Sequence, residues 1–185
     1  LWALDAYALM RIALLRDDLD HATALEMDIH KAAERMNLVL WDPISRLYRE
    51  RDWDGQPTDR QSATALLAFI GRIPGRDRFQ AMLNEHLNME FATRYPVPTL
   101  GTGDEAFPKQ LPWRGRTSII LNFLICEGLR HYAEDTLAER ITLSTLDLLR
   151  RSWREGKAFA SYHAESGDGD DIPQDPLAPE SLLAA

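Results

Sequence analysis

Cysteine is almost absent from this chain. Its one residue of that type, Cys126, sits inside an apolar helical run. No internal disulfide can therefore staple the fold, and a reducing compartment or plain core packing is implied. Cationic runs are missing as well. Lys and Arg total 21 against 29 Asp and Glu, for a formal net charge of -8, and no basic stripe is available to follow a phosphate backbone. Nucleic acid is therefore not an expected partner. No apolar run approaches the roughly 18 residues of a membrane span, so no membrane partner is expected either. No secretory leader is visible, and Leu1 already falls within a helical pattern. The expectation is a cytoplasmic protein whose natural start lies upstream.

Several chemistries also lack their motifs. The sequence contains no P-loop, no Gly-x-Gly-x-x-Gly, no Gly-x-Ser-x-Gly and no His-Glu-x-x-His, and its five histidines are scattered. His86 and Glu90 share a helix face and read as a solvated pair. The runs Asp52-Trp53-Asp54-Gly55 and Asp168-Gly169-Asp170-Asp171 resemble pieces of calcium loops, but have neither the 12-residue spacing nor the terminal Glu. No metal and no cofactor are expected.

What is present is ordinary for one globular domain: 185 residues, 45% hydrophobic and 27% charged. Apolar residues recur with helical period from Leu1 to Leu15, with Leu1, Leu4, Ala8, Ile12 and Leu15 on one expected face, widened by Leu9 and Met10. After Asp17-Asp18, with Asp18 or Asp20 as cap, a second helix carries Ala22, Leu25, Ile29, Ala32, Ala33 and Met36 inward and stops before Pro43. Residues 44–56 alternate and end at Asp54-Gly55, the pattern of a short β-like excursion. Helices follow at about 62–70, 76–87, 117–132 and 135–154. The reading is all-α, about six helices in antiparallel hairpins. A domain spanning 1–172 is expected, with 173–185 a loose tail or the start of a further, truncated helix.

Between the fourth and fifth of these helices lies the most specific stretch. Residues 94–112 hold four of the ten prolines, at 96, 98, 108 and 112, in a loop long enough to be functional. Arg94-Tyr95-Pro96-Val97-Pro98-Thr99-Leu100 leads to Leu111-Pro112-Trp113-Arg114-Gly115-Arg116 and then to a helix with Asn122. This Tyr-Pro-x-Pro segment followed by a Trp-Arg-Gly corner resembles the C-terminal half of the (α/α)6-barrel glycoside hydrolases. These include processing α-glucosidases, mannosylglycerate and glucosylglycerate hydrolases and, more distantly, trehalases.

The resemblance implies half of a twelve-helix toroid, whose inner faces need the missing N-terminal barrel half or a homo-oligomer. It implies inverting hydrolysis of an α-glycosidic bond in a small carbohydrate, without a cofactor. Such enzymes use two carboxyl groups about 6.5–9.5 Å apart, one as acid and one as base to a water. The acid belongs to the other half of the barrel. The base is a Glu in the pattern Glu-x-Tyr-x-x-x-x-Gly. Here Tyr162 and Gly167 set the register, and the Glu position holds Ala160, which can neither accept a proton nor orient water. Glu165 and Glu155 are nearby carboxylates that read as solvated.

Trp113 and Arg114, with Gly115, are the expected sugar-binding corner, a stacking ring beside a guanidinium. Tyr162, Trp41 and Asp5 are further candidate substrate contacts; Trp53 could also line the mouth, and for both tryptophans anchoring the excursion is the favoured role. The family continues Arg-Gly-Pro-x-Trp-x-Asn-x-Asn, whereas this chain keeps Asn122 and replaces the Pro, second Trp and first Asn by Arg116, Ser118 and Ile120. These changes favour the competing reading, a non-catalytic carbohydrate-binding or helical interaction module derived from such an enzyme.

Overall fold

A computed structural model of the chain describes residues 2–111 and 114–169. The expected tail at 173–185 lies outside the described residues. Among those described, the architecture is helical, with two-stranded pairs at the loops. Helix α1 (Trp2–Leu15) and α2 (Leu19–Val39) form the first hairpin. Asp18 caps α2, its carboxylate accepting from the His21 amide at 3.3 Å. The inward series on α2 is as expected, with Ala22 and Ile29 buried and Ala33 and Met36 packed on the core.

The expected face of α1 is corrected. Ala3, Ala6 and Ala13 are the buried positions, while Leu9, Ile12 and Leu15 stand exposed. The three alanines let α1 approach α2 closely. Apolar periodicity reported a second apolar face, which has no partner among the described residues.

The β-like excursion starts earlier than expected. Strand β1 (Trp41–Asp42) pairs antiparallel with β2 (Leu47–Tyr48), Trp41 opposite Tyr48. The turn is closed by Asp42, whose carboxylate accepts from Ser45 Oγ at 2.6 Å and from the amides of Ile44 and Ser45 at 3.0 and 3.3 Å. These bonds, the Ser45 hydroxyl first, hold its carboxyl below the usual range. A second turn closes at Gly55 (φ +76°), where Asp52 Oδ1 receives the Asp54 and Gln56 amides.

The helix expected at 62–70 is a 3-10 helix (Ala63–Ala68) capped by Ser62. After the tight stretch 71–75, α3 (Arg76–Ala81) runs directly into a π-helix (Met82–Glu90), three residues beyond the expected end. Phe69, Phe79 and Tyr132 join this pair to the last one, with Phe79 and Tyr132 stacked at 4.0 Å and Phe69 edge-on to Phe79 at 4.9 Å.

The last pair is α4 (Ile119–His131) and α5 (Asp135–Arg154). On α5 the buried residues Ala138, Ile141, Thr145, Leu148 and Ser152 recur at three and four, a single stripe facing the core. On α4, Gly128 passes so close to the 3-10 helix that a Cβ there would lie 2.6 Å from Phe69 Cβ and 2.7 Å from the Ile70 amide nitrogen. Strands β3 (Thr117–Ser118) and β4 (Ser161–Tyr162) pair antiparallel at the start of α4 and the far end of α5.

Gly128→Ala tests this close approach. Better helix propensity favours Ala by about 1 kcal/mol, but overpacking a tight contact costs about 1–3 kcal/mol. The expected result is a lower Tm in thermal unfolding, whereas Phe123→Ala, at an exposed α4 position, shifts stability by less than about 0.5 kcal/mol.

Candidate functional site

The proline-rich segment is the centre of the site. Its alternation Tyr95-Pro96-Val97-Pro98-Thr99 leaves backbone N–H groups at 95, 97 and 99. Each of the three donates inward. Tyr95 N–H reaches the Ala164 carbonyl at 2.9 Å, Val97 N–H reaches Asn122 Oδ1 at 2.9 Å, and Thr99 N–H reaches the Arg116 carbonyl at 2.8 Å. The Pro96–Val97 peptide is cis. On the other edge, Thr99 O accepts from the Ala63 amide at 3.0 Å. The segment thus lies between the start of the 3-10 helix and the run 116–117.

Asn122 anchors it to α4 and α5. Besides accepting from Val97, its Nδ2 donates to the Pro96 carbonyl at 2.8 Å and to Thr145 Oγ1 at 2.9 Å. Thr117 Oγ1 donates to the Tyr95 carbonyl. All four side chains, Tyr95, Thr117, Asn122 and Thr145, are buried.

The corner follows. Pro112 and Trp113 lie outside the described residues, so the stacking ring expected at Trp113 is not placed. Arg114 is exposed, its amide donating to the Leu111 carbonyl at 2.8 Å. Gly115 has φ +101°, and a Cβ would lie 2.4 Å from the Phe107 carbonyl oxygen, so only glycine fits. Its amide donates to Thr99 Oγ1 at 3.0 Å. Arg116, where the family pattern has Pro, is buried: its guanidinium donates to Ser161 Oγ at 3.2 Å and to the carbonyls of Ser161 and Asp168 at 3.1 and 3.0 Å.

Ala160 is partly exposed and immediately precedes β4, its carbonyl accepting from the Ile119 amide at 3.4 Å. The β3–β4 register sets position 160 opposite Ile119 at the start of α4, while the corner at 114–115 lies toward the other end of that pair. Tyr162 belongs to the core instead of the mouth: it is fully buried, with its hydroxyl 2.7 Å from Ser152 Oγ. A substrate contact at Tyr162 is therefore not what this geometry provides. Glu165 and Glu155 are exposed.

The remaining candidates stand elsewhere. Asp5 is exposed on the second face of α1, which packs chiefly on α2. Trp41 is edge-on to Tyr48 at 5.1 Å with the Arg78 guanidinium 4.9 Å over its ring. It lines an open cleft of about 930 Å³ with Asn37 and Arg78, and no residue beyond 78 contributes to that cleft. Trp53 is fully exposed and anchors nothing. His86 and Glu90, read from sequence as a solvated pair, form a contact in which His86 is buried.

One bracing residue escaped the sequence reading. Asp104 accepts from Arg60 Nη1 at 2.9 Å, the Ala106 amide at 2.8 Å and the Gln61 amide at 3.3 Å. Burial pushes its carboxyl up, but the two amides and the Arg60 guanidinium outweigh that and hold it below the usual carboxylate range. Among the described residues no group of three His, Cys, Asp or Glu is placed to hold a metal ion, and no helix is long and apolar enough to cross a membrane.

Helix pairs side by side, with a buried proline-rich segment feeding a glycine corner, define part of an (α/α)6-toroid glycoside hydrolase. The sequence profile of the mannosylglycerate hydrolase MGH1-like glycoside hydrolase domain matches residues 1–171, and the chain belongs to that family. Mannosylglycerate hydrolase from Thermus thermophilus is 27% identical over 128 residues, covering 68% of this chain and 29% of that protein. The enzyme of the same name from Rubrobacter radiotolerans is 27% identical over 136 residues, covering 71% and 31%.

Among solved structures, GH63 mannosylglycerate hydrolase from Thermus thermophilus in complex with glucose superposes with a TM-score of 0.78 at 23% identity, over 90% of this chain and 39% of that one. Neutral trehalase Nth1 from Saccharomyces cerevisiae gives 0.67 at 18%, over 82% and 29%. These show a shared fold. The chain spans about three-tenths of the length of the curated relatives it matches.

Two outcomes are expected from this geometry. Asn122→Ala leaves the Val97 amide and Pro96 carbonyl buried without partners at about 1–3 kcal/mol each, measurable as a large fall in Tm. Because the folded-state carboxyl of Asp104 is held low, its contribution is present above the unfolded value near 4 and is lost as pH falls below it. Asp104→Asn should flatten the acid limb of a stability–pH curve.

Proposed function

We propose that the chain is the corner-bearing part of an inverting α-glycosidase acting on a small mannoside or glucoside, inactive as it stands because its base position is Ala160. The single observation that supports this reading is that position 160 leads into β4, the strand paired with the β3 strand that follows the corner. A carboxylate on that edge would act as base to a water; a methyl group cannot. Arg114, with Trp113, would hold the sugar at the mouth. The acid would come from the part of the toroid that the chain does not span. That part, or a second copy, would also cover the exposed apolar face of α1. A cytoplasmic location suits the lone buried Cys126.

The second reading is a carbohydrate-binding or helical interaction module without catalysis. It is favoured by Ser118 and Ile120. Ser118 spends its hydroxyl capping α4, accepting from the Leu121 amide at 3.4 Å, so it offers nothing to a sugar.

The test begins with the mass of the native polypeptide in its source cells, against 21.1 kDa for this chain. If the product is about twice that size or more, Ala160→Glu in it should yield hydrolysis of an α-mannoside or α-glucoside with the β-anomer released first, as inversion requires. Arg114→Ala should weaken sugar binding by about tenfold or more, in line with loss of a charged hydrogen bond. Binding that persists without hydrolysis in the Glu variant supports the module reading. Absence of both sinks the glycosidase proposal.

A further inference from the structure

His86 lies on the π-helix and is only 5% exposed. Each of its ring nitrogens faces an oxygen. Nδ1 is 2.6 Å from Glu90 Oε2, and Nε2 is 2.7 Å from the Ser45 carbonyl in the turn between β1 and β2. A carbonyl oxygen only accepts, so Nε2 carries a hydrogen. The contact at Nδ1 then requires one more hydrogen between the two atoms. It resides on the nitrogen, as an imidazolium facing a carboxylate, or on the oxygen, as a neutral acid facing a bare nitrogen. Both forms hold the same number of protons and no net charge.

Either departure from that count is unfavourable. With one proton fewer, a nitrogen lone pair meets a carboxylate oxygen, and the ring can satisfy Ser45 or Glu90 but not both. With one proton more, N–H meets O–H and an uncompensated positive charge sits in a buried site. Among the described residues, the ionisable groups on the surrounding elements are already engaged. Arg46 pairs with Glu85, Arg49 with Asp42 and Arg60 with Asp104, while Glu50 accepts from the Thr64 hydroxyl.

The pair joins three elements. Ser45 belongs to the β1–β2 turn. Glu90 Oε1 accepts from Gln61 Nε2 at 3.0 Å, and the Glu90 carbonyl accepts from the Thr102 amide at 2.9 Å. Gln61 in turn binds the Gly101 amide through its carbonyl at 2.8 Å and Asp104 through its own amide at 3.3 Å. The glycine-containing loop 101–104, which leads toward the corner, is therefore bonded to the main chain of Glu90 and Gln61, and their two side chains link it to the His86 contact.

We propose that His86 and Glu90 form a one-proton latch that locks the β1–β2 turn, the π-helix and loop 101–104 together, and that loss or gain of that proton releases the loop. The latch is independent of whether the site is catalytic. The test compares Tm for the chain and for Glu90→Gln from about pH 4 to pH 9, the span over which carboxyl and imidazole groups titrate. A glutamine amide gives Nδ1 a permanent hydrogen and still offers an oxygen to Gln61. Near neutrality the two proteins should unfold within a few degrees of each other. Toward high pH the unmutated chain should fall below the variant, with faster hydrogen exchange at the Thr102 amide after correction for the intrinsic rate. In acid an extra ring proton meets the glutamine amide as it would the carboxylic acid, and no such gap should open. A gap that does not change with pH overturns the latch. Ring-nitrogen NMR of the unmutated chain is a second readout, independent of whether the variant folds. A hydrogen at Nε2 and one shared at Nδ1 are expected, and a bare Nδ1 beside an ionised Glu90 overturns the proposal.

Discussion

The carboxamide of Asn122 is the contact on which the site depends. A proline-rich segment cannot enter a sheet by the usual ladder, because every second residue lacks a donor. Here the middle donor of the three that remain, Val97 N–H, is taken by a side chain, and the same side chain returns a donor to the Pro96 carbonyl. A carboxamide carries both a donor and an acceptor on one planar group, so it mimics a strand neighbour for one peptide unit. Thr145 then fixes its orientation from α5. Segment, inner helix and outer helix are thereby held in one register, and the glycine corner begins from a fixed point.

Helix α1 illustrates a different constraint. Its alanine face is used up in contact with α2, yet Trp2, Leu9 and Ile12 on the other side are about half exposed. A helix apolar all round belongs in an interior. Phe123 on α4 and Leu143 and Leu146 on α5 show the same excess of exposed apolar surface. Exposed apolar residues of this number are more than a surface facing water alone usually carries. They accord with a chain that covers 39% of the toroid it superposes on.

Much of this was legible in the residues, and the misses have physical causes. Helix boundaries near strong signals came out well: Asp18, one of two candidate caps, begins α2, α2 ends before Pro43, and α5 runs from Asp135 to Arg154 as expected. The corner was legible because glycine at 115 and alternating prolines leave few conformations open. The inward face of α1 was not, since apolar periodicity ranks residues by size and two apolar faces compete. The larger leucines won the ranking while the smaller alanines won the packing. His86 and Glu90 were assigned to solvent because spacing of four identifies a shared face without saying what covers it. Only tertiary packing, with Ser45 brought from forty-one residues away, buries His86 and leaves Glu90 partly exposed. Tyr162 was similarly ambiguous, an aromatic that suits a mouth or a core until Ser152 receives its hydroxyl.

Position 160 shows how little the fold asks of one side chain on this edge. The structure uses the Ala160 backbone, through its carbonyl to Ile119, and asks nothing of the side chain. Neighbouring positions differ. Tyr162 fills core volume, Gly167 approaches the Tyr95 ring so closely that a Cβ would lie 2.7 Å away, and Arg116 threads acceptors on Gln110, Ser161 and Asp168. Selection for folding alone would therefore retain Tyr162 and Gly167 while leaving 160 free to change. A Tyr–Gly frame around an alanine is what the demands of packing alone would keep.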